Sequence, residues 1–428
     1  MSEPLRLGIA GLGTVGIGVV RIVRQHSAML AARTGREIMI SAVSARDRSK
    51  DRGLPIAQYD WEDDAITLAR RDDVDVFVEL IGGHEGTAKH AVEAALASGK
   101  HVVTANKALL AIHGHALAEA AESAQRTLRY EAAVAGGIPV IKALMEGLAG
   151  NDVTRVIGVM NGSCNYILTR MENAGLSYAE VFAEADGLGY LEADPQLDVG
   201  GIDAAHKLAI LSSLAFGTKV DFDGITLEGI DRVSIEDIRA AADMGYKIKL
   251  LGIAQMTGRG LEQRMQPCLV PETSPLGQLD GGTNMVVLEG DAVGQIVLRG
   301  PGAGEGPTAS AVMADVCDIA KGALAPVFGI AAAALKTSTP AHAQLPAPYY
   351  LRMSLEDKPG ALAKIASVLG DAGVSIDRMR QYGHEDTAAP VLIVTHKTTP
   401  DALNAALADM TGTGVLSGTP VALRIEPV

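Results

Sequence analysis

Apolar stretches alternate with segments of helical character along the first third of the chain. The apolar runs lie at 5–10, 38–43, 74–80 and 101–104, and an Ala-rich stretch of helical composition lies at 87–98. Strands that alternate with helices at this spacing predict a doubly wound parallel sheet, the Rossmann type of α/β fold. We expect this domain to cover residues 1–135.

The pattern becomes mixed beyond about residue 136. It predicts a strand at 153–159, helices at 178–186 and 203–216, an acidic loop at 187–201, and Gly-separated strands through much of 249–298. Helices and strands in this irregular order are typical of an α+β domain with a mixed sheet. We expect that domain to cover residues 136–304.

The last part of the chain predicts a linker followed by a compact unit. Pro340, Pro346 and Pro348 predict a linker at 337–348, because neighbouring helices cannot continue through them. Strands are then predicted at 349–355, 374–381, 391–396 and 421–425, with helices at 359–371 and 400–410. This βαββαβ order is typical of a ferredoxin-like domain, which we place at 349–428.

A glycine-rich turn follows the first predicted strand directly. Gly11, Gly13 and Gly16 form a GxGxxG motif that also contains Thr14 and Val15. The first glycine permits a tight turn, and the second lets the backbone approach a pyrophosphate at the positive end of the next helix. The strand–helix steps around the motif favour a dinucleotide site over a purely structural turn.

The end of the second predicted strand bears on which dinucleotide binds. A site for NAD usually has an acidic residue there, which holds the ribose 2′-hydroxyl. This chain reads SARDRSK at 44–50, in which Arg46 and Lys50 could clamp a 2′-phosphate. We expect NADP as the cofactor, while Asp47 keeps NAD open. Ordinary surface charges in a loop are the alternative.

Two lysines are candidates for proton transfer. Lys107 follows the fourth predicted strand, and the carboxyl ends of parallel strands face the cofactor crevice. Lys207 comes one helical turn after Asp203, so the two share a face of one predicted helix. Reduction of a carbonyl by hydride needs a proton donor at the oxygen, and a partly buried lysine can act as that donor. For any single lysine, a solvated surface charge is the commoner role.

The segment ahead of Lys207 is crowded with carboxylates, which are Glu192, Asp194, Asp198 and Asp203. Such a density calls for cations nearby: a substrate ammonium, a lysine or a metal ion. A solvated acidic loop is the alternative. The NGSCNY turn at 161–166 is rich in donors that could hold a substrate carboxylate. Its Cys164 is either a small turn residue or a thiol nucleophile, and the first interpretation is favoured.

Composition narrows the setting of this chemistry. The net charge is -14 and no dense run of Lys and Arg is present, so we expect no nucleic-acid partner. Every long apolar stretch is interrupted before about 18 residues, which excludes a membrane helix, and the N-terminus lacks a signal-peptide pattern. The 3 cysteines fit a reduced, cytoplasmic protein without disulfides.

Five ordered motifs resemble the homoserine dehydrogenase family. They are GLGTVG at 11–16, TANKALL at 104–110, YEAAVAGGIPVI at 130–141, NGSCNYIL at 161–168 and GYLEADPQLDVGGIDAAHKLAIL at 189–211. The resemblance covers roughly residues 1–330. It implies reversible reduction of the small-molecule substrate L-aspartate 4-semialdehyde to L-homoserine by NAD(P)H, in the biosynthesis of threonine, methionine and isoleucine.

The resemblance also implies roles for individual residues. Lys207 would be the proton donor, Lys107 the second lysine beside substrate and nicotinamide, and Asp203 a support for Lys207 and the substrate end. The implied substrate-binding residues are Asn161, Gly162, Tyr190, Glu192 and Asp198. Gly302, within a glycine loop at 300–304, would return to the cofactor. A helix at 308–320, in a returning segment at about 305–330, would then pack back on the first domain.

A cation site and an effector site are implied as well. The residues that would frame a monovalent cation, sodium in the family, are Glu131, Val134, Gly136 and Ile138. The C-terminal unit resembles an ACT domain, where Asp357, Gly360 and Gln381 would bind an amino-acid effector, L-threonine in the family. An ACT domain that serves only oligomer assembly is the alternative. The family also suggests a homodimer or homotetramer, with residues 136–304 contributing to dimerisation.

Two other functions stay open on the sequence. An aldehyde dehydrogenase of the same pathway, such as aspartate-semialdehyde dehydrogenase, would need an activated cysteine and a base, and Cys164 is its candidate. A non-catalytic NADP-sensing regulator would keep the glycine motif and the ACT unit. Such a regulator has no use for Lys107, Lys207 and the acidic segment, so their joint presence argues against it.

Overall fold

The first domain is built on a parallel sheet of six strands. The computed structural model describes residues 3–191, 194–341, 345–381 and 388–427. The strands are β1 Leu5–Ala10, β2 Ile38–Ser44, β3 Asp60–Glu62, β4 Val76–Glu79, β5 His101–Thr104 and β6 Leu128–Arg129. Their spatial order is β3-β2-β1-β4-β5-β6, the order of a Rossmann sheet. The predicted fold class is therefore confirmed for this domain.

Helices pack on both faces of this sheet. They are α1 Thr14–Thr34, α2 Ala65–Arg70, α3 Thr87–Ala97 and α4 Lys107–Ser123. The side chains of β4 alternate between the two faces: Val76 and Val78 pack with α1, whereas Phe77 packs with the other three helices. Because both faces are covered, the strands are nearly all apolar, as in other parallel sheets.

A second sheet of ten strands runs through the rest of the described chain. Its strands are β7 Val153–Val159, β8 Thr226–Leu227, β9 Tyr246–Thr257, β10 Gly260–Pro271, β11 Thr283–Gly290, β12 Gly294–Pro301, β13 Tyr349–Glu356, β14 Ile376–Gln381, β15 Ala388–Thr395 and β16 Val421–Ile425. Their order is β12-β11-β7-β9-β10-β16-β13-β15-β14, and β8 pairs with β10. The predicted mixed sheet is present: most pairs are antiparallel, and β8 and β16 run parallel to β10.

Nine further helices accompany this sheet within the described ranges. They are α5 Val140–Lys142, α6 Gly162–Ala174, α7 Tyr178–Gly187, α8 Pro195–Val199, α9 Ile202–Phe216, α10 Ile235–Asp243, α11 Glu305–Ala320, α12 Ala361–Asp371 and α13 Pro400–Thr411. Short 3-10 or π turns lie at Ile56–Gln58, Glu131–Ala133, Ala143–Gly147 and Ala332–Ala334. No helix in the described part of the chain is long and apolar enough to cross a membrane.

The helix α8 corrects one sequence-based expectation. The stretch 187–201 was expected to be an acidic loop throughout, but Pro195–Val199 is helical. Asp194 caps this helix by accepting a hydrogen bond from the backbone N–H of Gln196, and Pro195 occupies the first turn, where proline is favoured. The helix turns Asp198 inward, where it is only 3% exposed.

Helix α11 returns to the first domain, as the resemblance implied. It packs along α1 at Gly18, where an added Cβ would lie 2.8 Å from the Cβ of Ala309. The glycine therefore allows the two helices to approach closely. Arg21 and Glu305 add an ion pair at the start of the contact.

The C-terminal unit follows the predicted βαββαβ order and continues the second sheet. Its strands lie in the order β16-β13-β15-β14, and β16 pairs in parallel with β10 through Cys268 and Leu269. The segment before it also lies against β10, because Leu261 exchanges backbone hydrogen bonds with Thr339 and Ala341. Backbone hydrogen bonds thus join the C-terminal unit to β10 of the second sheet.

A buried charge cluster reinforces this junction. The carboxylate of Glu426, 3% exposed, accepts hydrogen bonds from Arg155 and Arg424, each at 2.6 Å, and from Arg264. Burial alone would raise the pKa of Glu426, but the three guanidinium charges hold it below its usual range. These arginines come from β7, β10 and β16, so one carboxylate ties the C-terminal strand to two strands from the middle of the chain.

Glu426→Gln should destabilise the protein, because it removes the counter-charge of the buried Arg424 and one of the two counter-charges of Arg155 and of Arg264. We expect the free energy of unfolding, measured in urea, to fall by about 3 kcal/mol or more, the usual cost of breaking a buried pair. Glu289→Gln is the matched control, since Glu289 pairs with the same Arg155 at 3.6 Å but is partly exposed. Equal unfolding curves for the two variants would contradict this account of the junction.

Candidate active site

The glycine motif lines a cleft of about 820 Å³ at the edge of the first sheet. Gly11 has φ 102°, and a Cβ there would collide with the carbonyl group of Leu80. A Cβ at Gly16 would collide with the carbonyl oxygen of Gly11, whereas a Cβ at Gly13 would meet nothing within 4 Å. The first and third glycines therefore permit the turn, and Gly13 faces open space at the N-terminus of α1, where a pyrophosphate could approach.

The predicted 2′-phosphate residues, Arg46 and Lys50, both line this cleft. The carboxylate of Asp47 turns into its own loop and accepts hydrogen bonds from the hydroxyl and the backbone N–H of Ser49, at 2.6 and 2.8 Å. These hydrogen bonds lower the pKa of Asp47. Arg52, which the sequence analysis missed, also lines the cleft and donates to the carbonyl of Leu12 at 3.2 Å. Its position in the same basic run was the available signal.

A second cleft, of about 580 Å³, lies beside the first and gathers the predicted catalytic residues. Lys107 opens α4, directly after Asn106, whose side chain caps that helix by accepting from the N–H of Leu109 at 3.1 Å. The buried Glu79 at the end of β4 accepts a hydrogen bond from Thr104, at the end of β5, at 2.5 Å. This hydrogen bond fixes the carboxyl ends of both strands. Lys107, the first residue of α4, lies just beyond the end of β5.

The carboxylate of Asp203 joins the two lysines. Lys207 donates to Asp203 Oδ2 at 2.6 Å, and Lys107 Nζ lies 3.0 Å from Asp203 Oδ1. Asp203 and Lys207 are one turn apart on α9, as predicted, and are 6% and 8% exposed. Burial alone would raise the pKa of Asp203, but the two ammonium charges hold it well below its usual range. The carboxylate is therefore ionised at any pH near neutral.

Asn161 links this group to Asp198. Its amide nitrogen donates to Asp198 at 2.8 Å and to Asp203 at 3.0 Å. Its amide oxygen caps α6 by accepting from the N–H of Cys164 at 2.8 Å. Both N–H bonds and the oxygen of this side chain are thus engaged in fixing two carboxylates against a helix end, and both carboxylates line the cleft.

Asn284 is a second asparagine in the cleft, and the sequence analysis did not identify it. Its amide nitrogen donates at 3.1 Å to the carbonyl oxygen of Met160, which also accepts from Lys207 at 2.8 Å. Among the described residues, its buried amide oxygen has no hydrogen-bond partner. Asn284 comes from β11, more than 70 residues beyond Lys207 in sequence. No local motif marked it.

The remaining predicted substrate and cofactor residues surround the lysines. Gly162, Tyr190, Gly302 and Val15 all line the second cleft. The ring of Tyr190 stacks on Tyr166 with a centroid separation of 4.4 Å. Gly302 passes directly beside the side chain of Asn284, where a Cβ would not fit. Thr14 begins α1 at the neighbouring cleft, and Glu192 lies outside the described residues.

Cys164 is unsuited to act as a nucleophile. Its side chain is fully buried and donates to the carbonyl of Asp198 at 3.2 Å. Burial raises the pKa of this thiol well above its usual range, and the nearby Asp198 and Asp203 charges raise it further. A thiolate, which is the reactive form of cysteine, is therefore disfavoured here. The geometry supports a structural role for this small residue, but the expected turn at 161–166 is wrong: Cys164 lies in the first turn of α6, which begins at Gly162.

The predicted cation residues form a strained turn against the loop that contains Gly302. Ala135 and Gly136 both have φ 56°, and a Cβ on Gly136 would collide with the carbonyl of Gly302. The carboxylate of Glu131 is already engaged by the backbone N–H groups of Ile141 and Lys142, at 3.0 and 2.9 Å. Burial and the neighbouring Asp315 charge raise the pKa of Glu131 to about 7.

The same turn bears on what kind of metal could bind. In the part of the chain that the structure describes, no cluster of three or more His, Cys, Asp or Glu side chains could hold a metal ion. The turn also contains Val134 and Ile138, whose side chains offer no ligand atoms. Backbone carbonyls are the ligands that this turn can offer, and these suit a hard monovalent cation better than a transition metal.

The predicted effector residues lie at one end of the ACT unit. Gly360, with φ 89°, directly precedes α12, and Asp357 lies in the turn before it. Gln381 ends β14, the outer strand of the sheet, just before residues 382–387, which lie outside the described part. The positions agree with the predicted arrangement, and their ligand-binding role stays a prediction.

The fold and the two clefts together define a class of protein. A Rossmann sheet carries a glycine turn at the N-terminus of its first helix, and a buried carboxylate paired with one buried and one half-buried lysine lies in the adjoining cleft. The first feature suits a nicotinamide dinucleotide, and the second contains ammonium groups of the kind that can donate a proton to a carbonyl oxygen. The chain is therefore an NAD(P)-dependent oxidoreductase.

Comparison with known families agrees with this class and narrows it. The profile described as homoserine dehydrogenase matches residues 139–317, and the homoserine dehydrogenase NAD-binding domain matches residues 11–131. An ACT domain profile matches residues 349–411. The chain belongs to the homoserine dehydrogenase family, which confirms the resemblance seen in the motifs.

Individual relatives show the same similarity over about three quarters of the chain or more. A homoserine dehydrogenase of Neisseria gonorrhoeae is 44% identical over 95% of both chains. The crystal structure of a homoserine dehydrogenase from Thiobacillus denitrificans, 39% identical, superimposes with a TM-score of 0.93 over 99% of this chain and 98% of that one. A hyperthermophilic archaeal homoserine dehydrogenase in complex with NADPH, 26% identical, has a TM-score of 0.62 over 74% of this chain and 97% of its own.

Cys164→Ala tests the thiol alternative directly. Because the thiol is buried and held in its protonated form, we expect the variant to oxidise homoserine at a rate close to that of the wild type. The small apolar replacement leaves the helix cap by Asn161 in place. The measurement is kcat for homoserine oxidation, and loss of turnover in a variant with unchanged thermal stability would contradict the assignment.

Proposed function

We propose that the chain reduces L-aspartate 4-semialdehyde to L-homoserine reversibly, prefers NADP(H), and uses Lys207 as the proton donor. The observation that carries this proposal is the Asp203 carboxylate shared by Lys207 and Lys107. When bound, the nicotinamide supplies the hydride for the carbonyl carbon. The chain then has to supply a proton to the carbonyl oxygen and hold the substrate in place.

Lys207 is arranged to give up one proton in a fixed direction. An ammonium group has three N–H bonds. Those of Lys207 serve Asp203 and the Met160 carbonyl, so a third remains for the substrate oxygen. As the carbonyl π bond opens and the new C–H bond forms, that oxygen takes the proton and an alcohol results. Lys107, on the other side of Asp203, would position the same oxygen from the dinucleotide-domain side.

The carboxylates of the cleft suit the rest of the substrate. We assign the α-ammonium to Asp198, with Glu192 as its expected second partner, since a cation favours a site lined by fixed carboxylates. Asn161 holds Asp198 in position, and the backbone at Gly162 and the ring of Tyr190 form the wall of the cleft. Substrate and cofactor would thus meet between Val15 and Lys207.

The preference for NADP is assigned to Arg46 and Lys50. Both line the dinucleotide cleft beyond the second strand. Asp47 lines it too, and one of its carboxylate oxygens accepts hydrogen bonds from Ser49 in the same loop. Positive groups at this position favour a 2′-phosphate over a ribose hydroxyl. The archaeal relative in complex with NADPH agrees with this preference. Turnover with NAD, at a lower kcat/KM, is compatible with the same site.

A monovalent cation, sodium by the family parallel, is assigned to the turn containing Glu131, Val134, Gly136 and Ile138. The support is its strained backbone, since such conformations cluster at functional sites. A cation there would stabilise the turn against Gly302 and so the cofactor side of the cleft. Sodium dependence, with choline as the inert replacement, tests this assignment both in turnover and in thermal stability.

Threonine is the proposed effector of the ACT unit, with Asp357, Gly360 and Gln381 as its site. The positive end of α12 at Gly360 suits an amino-acid carboxylate. We also propose a homodimer or homotetramer, and a cytoplasmic location, which the free thiols of all three cysteines support. Assembly alone is the alternative role of the ACT unit.

Lys207→Ala should remove the proton donor and leave the dinucleotide cleft intact. We expect kcat to fall by about 10²-fold or more, the usual scale for a lost general acid, while the Kd for NADPH stays near the wild-type value. Stopped-flow turnover and fluorescence titration of NADPH measure the two quantities. Unchanged turnover would show that another group is the proton donor.

Arg46→Ala should weaken NADPH more than NADH. The expected change is a rise in Kd for NADPH of about tenfold, the loss of one charge-assisted contact, with little change for NADH. Arg24→Ala, at an exposed position on α1, is the control for a general loss of positive charge. Equal effects on both cofactors would mean that Arg46 does not contact the 2′-phosphate.

The test of the whole proposal is an absorbance assay at the reduced-nicotinamide band. Homoserine is offered with NADP⁺ and with NAD⁺, each with and without threonine. We expect homoserine-dependent reduction, faster at low cofactor concentration with NADP⁺, and inhibition by threonine. Folded protein that turns over neither cofactor would refute the catalytic proposal, and turnover indifferent to threonine would leave the ACT unit its assembly role.

A further inference from the structure

Lys249 is a buried lysine that the proposed reaction does not use. It lies on β9, is 1% exposed, and donates to Asn165 Oδ1 at 3.0 Å and to the carbonyl of Leu279. Its nearest carboxylate oxygen, in Asp280, is 4.0 Å away. Burying an ammonium group away from a close counter-charge is costly, so a compensating role is expected.

Lys249 can make the same two hydrogen bonds whether its side chain is charged or neutral. Burial lowers its pKa to about 8, Asp280 and Glu172 act to raise it, and Lys247 acts to lower it. An ammonium offers three N–H bonds and a neutral amine two. Lys249 has two acceptors, Asn165 and the Leu279 carbonyl, so both are satisfied on either side of that pKa.

Asn165 holds the same loop from the other side. Its amide nitrogen donates to the carbonyls of Leu279 and Gly281, at 3.2 and 2.7 Å. The N–H of Gly281 in turn donates to Thr169 on α6 at 3.2 Å. The loop 279–282 is therefore fixed through its backbone to α6 and, by Lys249, to β9.

This loop leads directly into the catalytic cleft. Gly282 lines the cleft, and Asn284 follows two residues later. Asn284 and Lys207 donate to one carbonyl oxygen, that of Met160, at 3.1 and 2.8 Å. A displacement of the loop would thus move Asn284 and disturb the acceptor that orients Lys207.

We propose that Lys249 is a positioning residue for the reaction: it fixes the loop 279–282 and, through Asn284 and the Met160 carbonyl, orients the Lys207 ammonium. The inference rests on the proposed role of Lys207. Lys249 lies one layer behind the cleft and does not contact the substrate. Its contribution comes from fixing a loop whose backbone has no regular strand pairing.

Lys249→Met tests this role, because methionine fills similar space and offers no donor. We expect kcat/KM for homoserine to fall by about tenfold or more, since small misplacements of catalytic groups are costly. The KM for NADP⁺ should stay near wild type, because the dinucleotide cleft is not touched, whereas the thermal midpoint should fall, because Asn165 Oδ1 and the Leu279 carbonyl lose a buried donor. Lys247→Met is the comparison variant: Lys247 lies on the same strand, pairs with Glu172 and reaches the loop through the side chain of Asp280, each at 3.4 Å, so it separates the loss of a charge contact from the loss of the Lys249 hydrogen bond to the loop backbone.

Hydrogen exchange at the amides of 279–284 measures how well the loop is held in place, independently of turnover. Faster exchange there in Lys249→Met, with unchanged exchange at 11–16, supports the proposal, and wild-type exchange or wild-type kcat/KM overturns it. If Lys249→Met does not fold, Asn165→Ala decides by the same two measurements. A wild-type protein inactive on homoserine would refute the proposed function, whereas the exchange result would still decide whether Lys249 holds the loop.

Discussion

The structure depends on one buried carboxylate that is shared by lysines from two domains. Asp203 receives Lys207 from its own helix and Lys107 from the end of the parallel sheet. Removing one member of a buried ionic group leaves an uncompensated charge, at a cost of about 3–5 kcal/mol. The same contact therefore holds the Rossmann domain against the catalytic domain and directs both ammonium groups into the cleft where the domains meet.

Helix caps, a backbone carbonyl and a loop position the side chains around this group. The caps of α4 and α6 by Asn106 and Asn161 set where Lys107 and the NGSCNY segment begin. The Met160 carbonyl accepts a hydrogen bond from Lys207 and orients it. The loop 279–282 leads to Asn284, which donates to the same carbonyl. Further out, backbone pairing of β16 with β10 and the charges around Glu426 join the ACT unit to the sheet that carries these loops. A change in the ACT unit could thus reach the cleft through contiguous structure.

Much of this arrangement could be predicted from local sequence signals. The glycine motif, the one-turn spacing of Asp203 and Lys207, and the alternation of strands and helices act over a few residues, and each gave a correct expectation. The parallel, doubly wound type of sheet followed from that alternation, and the structure supplies its strand order. The acidic segment also contains a local signal, which the sequence analysis missed. Asp194 and Pro195 together mark the start of the short helix α8.

Other features depend on contacts between distant parts of the chain. Asn284 and Lys249 reach the catalytic group through a backbone carbonyl and a loop, and neither has a neighbouring residue that marks it. The pairing of β16 with β10 joins strands more than 150 residues apart. Such pairings depend on which strand edges the tertiary structure brings together, and no local sequence pattern encodes them.

The most direct test of the account is the kcat of Asp203→Asn, with Asp194→Asn as the control. The amide that replaces the Asp203 carboxylate keeps the shape of the side chain but loses the charge that holds both lysines. The account predicts that kcat for homoserine oxidation falls by about 10²-fold or more, while NADPH binding stays normal and the control turns over like the wild type. Near-normal turnover in Asp203→Asn would contradict the central claim that this carboxylate organises the site.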